Sequence, residues 1–172
     1  TLTAQSINIL GAKIFIRKDG IIIISASIEA TERLTADNLG TWKGLKEDLN
    51  NIFNGHENLS NLLAQRTRYI SEKRMTEAII PKVEVKNAND PHFSIIRIEA
   101  HDHLGMLYKI SKVFSDFEIR IHSAKISTQG GRGIDVFYVS LQNKKTLSEK
   151  LVRLVKEEII SAMMVQNPED ID

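Results

Sequence analysis

The sequence predicts an α+β chain made of two ferredoxin-like units, each following a β-α-β-β-α-β plan with an antiparallel sheet. Two observations support this prediction. Residues 7–14 superpose on residues 119–126 at a constant offset of 112, and five of the eight positions are identical. The second copy also lies within a complete series of strand and helix patterns.

The first half of the chain opens with a predicted hairpin. Residues 7–16 are β-rich, Asp19-Gly20 is a typical hairpin turn, and residues 21–28 form an isoleucine-rich run. We expect that run to be a largely buried strand. Thr35 can cap a helix that ends at Asn54-Gly55, and its apolar residues recur at helical spacing.

A second helix and an edge strand complete this half. Ser60 is the expected cap of the helix, and residues 79–85 read as an edge strand because they contain Pro81. Residues 87–91 are the expected linker. The predicted units are therefore residues 1–88, with a helical insertion at about 35–70, and residues 89–172.

The second half follows the complete plan. Residues 93–100 predict a strand, and Asp102 is placed to cap the following helix, whose apolar stripe contains Leu107, Ile110, Phe114 and Phe117. Strands are expected at 119–128 and 134–141. A capping-box pattern at 146–149 opens the last helix, and a short strand at 163–165 would close the sheet.

The first unit begins just before its second strand, so it lacks its first strand and most of its first helix. An exposed sheet edge of this kind is unfavourable in a native protein. We therefore predict that the chain is a fragment of a longer protein.

Composition restricts the function classes. The 172 residues carry 23 Lys plus Arg and 22 Asp plus Glu, for a formal charge of +1, which gives no general attraction to nucleic acid or to anionic membranes. Cysteine is absent, and the longest apolar run is too short to span a bilayer. We expect a cytoplasmic protein without nucleic-acid or membrane partners.

Gly105 suggests a ligand site. Glycine is unfavourable in a first helical turn unless a side chain would obstruct an approaching group. A helix N-terminus attracts anions such as an amino-acid carboxylate, and Asp102 could accept the ammonium group. Close packing of the helix against a strand over Gly105 explains the glycine equally well, and the sequence leaves both interpretations open.

Three segments resemble an ACT domain: residues 102–107 (Asp-His-Leu-Gly-Met-Leu), 121–128 and 135–139 (Asp-Val-Phe-Tyr-Val). More narrowly, the chain resembles the C-terminal tandem ACT region of the bacterial PII-protein uridylyltransferase/uridylyl-removing enzymes. The resemblance implies a glutamine sensor that shifts such an enzyme between adding and removing uridylyl groups. It implies as partners the upstream nucleotidyltransferase and phosphohydrolase domains, which would use Mg²⁺, and the PII protein.

The resemblance also implies a binding site. Its expected members are Asp102, His103, Leu104, Gly105, Met106 and Leu107 of the second unit, with Asn8, Ile9, His122 and Ser123 as further candidates. Ile24 stands where the acidic Asp135 of the second copy would correspond. We expect this chain to contain no catalytic residue, cofactor or metal.

Three other interpretations concern metal, RNA and dimerisation. His101 and His103, with His122, could converge on a metal only if the strand continued that far. The basic segment 66–74 favours a solvated connector over RNA binding, since the strands carry mainly isoleucine, and a contact with other domains is a third interpretation that the sequence does not rank. The alternative function is a ligand-free dimerisation module in which sheet edges pair between chains.

Overall fold

The computed structural model describes residues 2, 5, 7–17, 19–29, 39–67, 80–103, 105–142 and 145–164. It contains six strands and four helices: β1 (Ile9–Ile16), β2 (Ile22–Ile28), α1 (Leu39–Phe53), α2 (Leu59–Thr67), β3 (Lys82–Asn87), β4 (Ser94–His101), α3 (Met106–Asp116), β5 (Ile119–Gln129), β6 (Arg132–Leu141) and α4 (Glu149–Met164). No helix in these ranges is long and apolar enough to cross a membrane. The α+β class is confirmed.

The chain forms two compact units. One contains residues 1–8 and 28–76, and the other contains residues 9–27 and 77–172. The strand at Lys82–Asn87, which the sequence assigned to the first ACT unit, pairs with β4 in the second compact unit. The boundary between two ACT units at residues 88 and 89 stays a prediction.

In the first compact unit, α1 ends as predicted. The chain turns through Gly55, whose φ is +71°, and the N–H of His56 donates to the carbonyl of Asn51 over 2.8 Å. Ser60 does not cap α2. Asn58 does, because its Oδ1 accepts the backbone N–H of Ser60 over 2.8 Å. The predicted cap of α1 at Thr35 lies outside the described residues.

The six strands form one sheet in the order β2-β1-β5-β6-β4-β3. All four strand pairings with a recorded register are antiparallel. Within it, β3-β4-β6-β5 has the order and directions of a ferredoxin-like sheet, with β3 in the position of the fourth strand. The ferredoxin-like plan is thus present, but its edge strand precedes the other three in sequence.

The predicted closing strand at 163–165 is wrong for the residues that the structure describes. Met163 and Met164 belong to α4, and residue 165 lies outside the description. The physical reason is helical spacing: Ile159, Ala162 and Met163 recur at three and four residues and pack on the core. A strand there would remove that apolar stripe from its partners.

The core of the second compact unit lies between one face of the sheet and the helices α3 and α4. Alternate residues of β4 are fully buried, and so are Val139, Ile110, Val155 and Ile159. Leu154, on the same helix as Val155, is exposed. Helix α4 starts at Glu149, later than the capping box implied, and the Ser148 hydroxyl accepts the Leu151 N–H over 3.4 Å.

The two copies of the repeat are neighbours in the sheet. Strands β1 and β5 pair antiparallel, and the register places Lys13 opposite Lys125. These two lysines are also equivalent in the repeat, because 125 − 13 equals the offset of 112. A local two-fold axis therefore passes between Lys13 and Lys125.

Strand β2 differs from its prediction. It forms at the sheet edge, but six of its seven residues are exposed, including the isoleucines expected to be buried. An apolar run predicts a strand through its β propensity, whereas its burial depends on which elements cover it. In the described structure, β2 has a neighbour on one side only.

Candidate functional site

The loop between β4 and α3 is hydrogen-bonded to the turn end of the β5–β6 hairpin. The backbone N–H of Asp102 donates to the carbonyl of Gly131 over 2.8 Å, and the Thr128 hydroxyl donates to Asp102 Oδ2 over 2.9 Å. These bonds leave the second carboxylate oxygen of Asp102 able to accept a further hydrogen bond. The loop is thus held by contacts distant in sequence.

Asp102 does not cap α3, which corrects the sequence prediction. The N-cap is Gly105, with φ of 90° and ψ of −6°, and no side chain caps the helix. The carboxylate of Asp102 is directed instead to Thr128. Gly105 therefore has a backbone reason for its identity, since the left-handed region is unfavourable for other residues.

Close packing occurs at a different glycine. Gly133 is buried on β6, and a Cβ atom added there would lie 3.0 Å from Met106 Cε and 3.2 Å from Met106 Sδ. Met106 itself is buried at the start of α3. The helix-to-strand contact that the sequence offered as an explanation for Gly105 is therefore made by Met106 over Gly133.

Asp135 is the buried acid of this region, and it was not among the site residues expected from the sequence. It is 2% exposed on the helix-facing side of β6, and its Oδ1 accepts the Ser127 N–H over a long 3.4 Å. The pKa of Asp135 is raised from 3.8 to about 7, chiefly by burial; the Ser127 bond opposes this shift, and the charge of Asp102 contributes to it. Its alternation with Phe137 and Val139 could have revealed it, because that pattern places a carboxyl on the apolar face.

His103 is part of the same loop. Burial lowers the pKa of its imidazole, and the ring Nδ1 lies 3.0 Å from the carbonyl of His101. The Nδ1 of His101 is buried and has no hydrogen-bond partner in the described part of the chain. No group of three or more His, Cys, Asp or Glu in that part is arranged to hold a metal ion.

Not all predicted site residues come together. Leu107 packs partly buried against the core, and Leu104 lies outside the described residues. His122 sits at a β-bulge, with Nε2 2.9 Å from Ser140 Oγ and its ring edge-on to Phe93. It is six residues from Thr128, or about 20 Å along the strand.

The other three candidates are also placed away from the loop or in another unit. Ser123 pairs with Tyr138 on β6 and with Phe15 on β1. Asn8 belongs to the first compact unit, where its carbonyl accepts the Glu29 N–H over 3.0 Å. Ile9 begins β1. The described geometry therefore assembles Asp102, His103, Gly105 and Met106, with Thr128 and Asp135 added.

The fold and this loop define an α+β module in which a ferredoxin-like sheet carries a glycine turn between its β4 strand and the next helix. A family model described as an ACR9-like, ACT-like domain matches residues 82–167, which are 86 of the 172 residues. The chain belongs to the ACT-like domain family. The match begins at β3, so it includes the edge strand found in the sheet. No solved structure matches the chain.

Membership in this family points to a regulatory ligand-binding module. The match supports the ACT domain part of the resemblance given above. It carries no information about a uridylyltransferase parent.

Proposed function

We propose that this chain is a regulatory amino-acid sensor whose ligand is glutamine. The observation that supports the proposal is the β4–α3 loop of an ACT-like domain, with Gly105 at an uncapped helix start and the Asp102 carboxylate fixed beside it. The helix start attracts the ligand carboxylate, and Asp102 accepts its ammonium group.

The wider setting of the proposal is nitrogen control. The chain resembles the tandem ACT region of PII uridylyltransferase/uridylyl-removing enzymes through Asp135-Val136-Phe137-Tyr138-Val139 and residues 121–128. Glutamine binding would favour one arrangement of the units over another, and the difference in affinity would bias the attached catalytic domains.

Calorimetric titration of the chain with glutamine, glutamate and asparagine tests the ligand. We expect glutamine to bind most tightly, and Asp102→Asn to weaken binding about tenfold because a charged hydrogen bond to the ammonium is lost. Thr128→Val should weaken it less, because that substitution only releases Asp102. Ser111→Ala, on the exposed side of α3, is the matched control and should bind normally.

Two results would count against the site. One is an affinity for glutamine that Asp102→Asn leaves unchanged. The other is an equal response to every amino acid in the series. The enzyme setting has a separate test, in which the full-length gene product is assayed for uridylyl transfer to PII with and without glutamine.

A further inference from the structure

The face of the sheet that points away from α3 and α4 carries two exposed aromatic rings in one row. Phe15 on β1 pairs with Ser123 on β5, and Ser123 pairs with Tyr138 on β6. Phe15 is 55% exposed and Tyr138 is 43% exposed. Because neighbouring strands lie about 4.8 Å apart, the two aromatic residues are about 10 Å apart with only a serine between them.

The next row, two residues along each strand, carries cations. Lys13 pairs with Lys125, Lys125 with Val136, and Val136 with Arg97. This row lies about 7 Å from the aromatic row. Both lysines are exposed, and neither has an ion-pair partner among the residues that the structure describes.

Lys13 and Lys125 stand directly opposite each other at the local two-fold axis. Like charges in directly opposed sheet positions are destabilising. An anion bound between the two ammonium groups would remove that repulsion, so the pair favours a negatively charged occupant over an empty surface.

The rest of the face carries more cations than carboxylates. Two carboxylates on this face are already paired: Glu84, in the cationic row, with Lys82 at 3.1 Å, and Glu99, one row further on, with Arg132 at 2.9 Å and Arg97 at 3.5 Å. The cations on this face include Lys13, Lys82, Lys86, Arg97, Lys125 and Arg132. Positive charge is thus concentrated here, although the whole chain has a formal charge of only +1.

We infer that this face binds single-stranded nucleic acid, with phosphates between Lys13 and Lys125 and bases stacked on Phe15 and Tyr138. Sequence-tolerant binding of single strands combines a basic surface with aromatic rings on which bases stack. Both features occur here on an open ferredoxin-like sheet. An anionic membrane or an acidic peptide would account for the lysines but gives no role to two separated rings.

The inference reverses an expectation from the sequence. Nucleic acid was disfavoured because the strands carry mainly isoleucine. Of the three aromatic residues in the described strands, Phe137 is buried, and the register places Phe15 and Tyr138 in one exposed row beside the lysines. The two rings come together only because β1 pairs with β5, where Phe15 lies opposite Ser123, a residue 108 positions away in the chain (123 − 15).

Fluorescence anisotropy of the whole chain with a labelled uridine dodecamer tests the inference. We expect binding with a dissociation constant in the micromolar range at about 50 mM salt. Phe15→Ala and Tyr138→Ala should each weaken it about 5- to 100-fold, and Tyr138→Phe should restore it, because stacking needs the ring only. Phe53→Ala, an exposed ring on α1, is the control and should have no effect.

The salt dependence of binding tests whether Lys13 and Lys125 contact phosphates. The double variant Lys13→Ala/Lys125→Ala should lower the slope of log K against log salt by about 1.4, which is about 0.7 for each phosphate that is no longer neutralised. The control Lys46→Ala/Lys150→Ala removes the same charge from exposed helix positions and should leave the slope nearly unchanged.

Three results would overturn the inference. They are no binding at about 50 mM salt, binding that the two ring variants leave intact, and equal affinity for a duplex of the same length or for vesicles containing phosphatidylserine. A circular dichroism spectrum unchanged from the parent chain ensures that each variant is compared in its folded form.

Discussion

The two hairpins, β1–β2 and β5–β6, share a strand sequence but have different surroundings. Ala12 and Ala124 occupy equivalent positions, and both are buried on the helix-facing side. The equivalent positions in the second strand of each hairpin differ in burial: Ile24 on β2 is 60% exposed, whereas Asp135 on β6 is 2% exposed. The hydrophobic residue is thus in solvent and the acid is in the core.

The difference shows that local sequence determines whether a strand forms, whereas the covering elements determine its burial. Strands β5 and β6 lie under α3 and α4, and β6 also pairs with β4. Strand β2 has no described neighbour on its outer side. The same β-forming pattern therefore yields a core strand in one copy and an edge strand in the other.

The largest expected contrast between the hairpins concerns a phenylalanine in each. Phe137→Ala should destabilise the fold by about 3–5 kcal/mol, because it removes a buried ring packed edge-on against Phe114. Phe15→Ala should cost no more than about 0.5 kcal/mol at its exposed position. Urea denaturation of both variants measures the difference, and equal costs would mean that the hairpins are equally covered.

A smaller contrast concerns protonation. The pKa of Asp135 is raised from 3.8 to about 7. Between these two pH values Asp135 is protonated in the folded chain and ionised in the unfolded chain. Stability should therefore fall as pH rises from about 4 to about 7. The shift corresponds to roughly 4 kcal/mol at most.

Asp135→Asn should remove this pH dependence. At pH 8 we expect this variant to be more stable than the parent by about 1–3 kcal/mol. The substitution removes the cost of burying a charged carboxylate, but burying the polar amide that replaces it offsets part of that gain. Thermal unfolding from pH 4 to pH 8 is the measurement. Ile24→Asp, which places a carboxyl at the exposed equivalent, should give no such slope, and a slope there would show that β2 is covered in solution.

The smallest expected effect tests the local two-fold axis. Lys13→Glu should stabilise the fold by about 0.2–1 kcal/mol at low salt, because it replaces a like-charged pair with an opposite one. Lys125→Glu should have the same effect, and the double variant should lose the gain. Unequal single effects would mean that the two strands do not pair symmetrically. Denaturant titrations at low and high salt provide the comparison.

Much of the fold was predictable from local patterns. Alternation located β4 within one residue, and helical spacing identified α1 and α3, because these signals depend only on neighbouring residues. The edge strand was assigned to the first ACT unit, whereas β3 pairs with β4 across a short connection. Strands that follow each other in sequence usually pair, so the short connection at residues 88–93 could have indicated this neighbour.

The candidate site was less predictable. Asp102 has the sequence position of a helix cap, yet Thr128 competes for its carboxylate from 26 residues away. Gly105 was singled out as a glycine in a first helical turn, but its positive φ is a property of the folded loop. Asp135 was visible as an acid in an apolar alternation, and only the packing of the helices shows that it is enclosed.

The buried Asp135 also affects how ligand binding to the loop would be recorded. Near neutral pH the folded chain is a mixture of molecules with a neutral and an ionised Asp135. A ligand that brings a positive charge to Asp102 would favour the ionised form and release protons into the buffer. The heat of binding would then include the ionisation enthalpy of the buffer, and titrations in phosphate and in Tris would differ by the number of protons released.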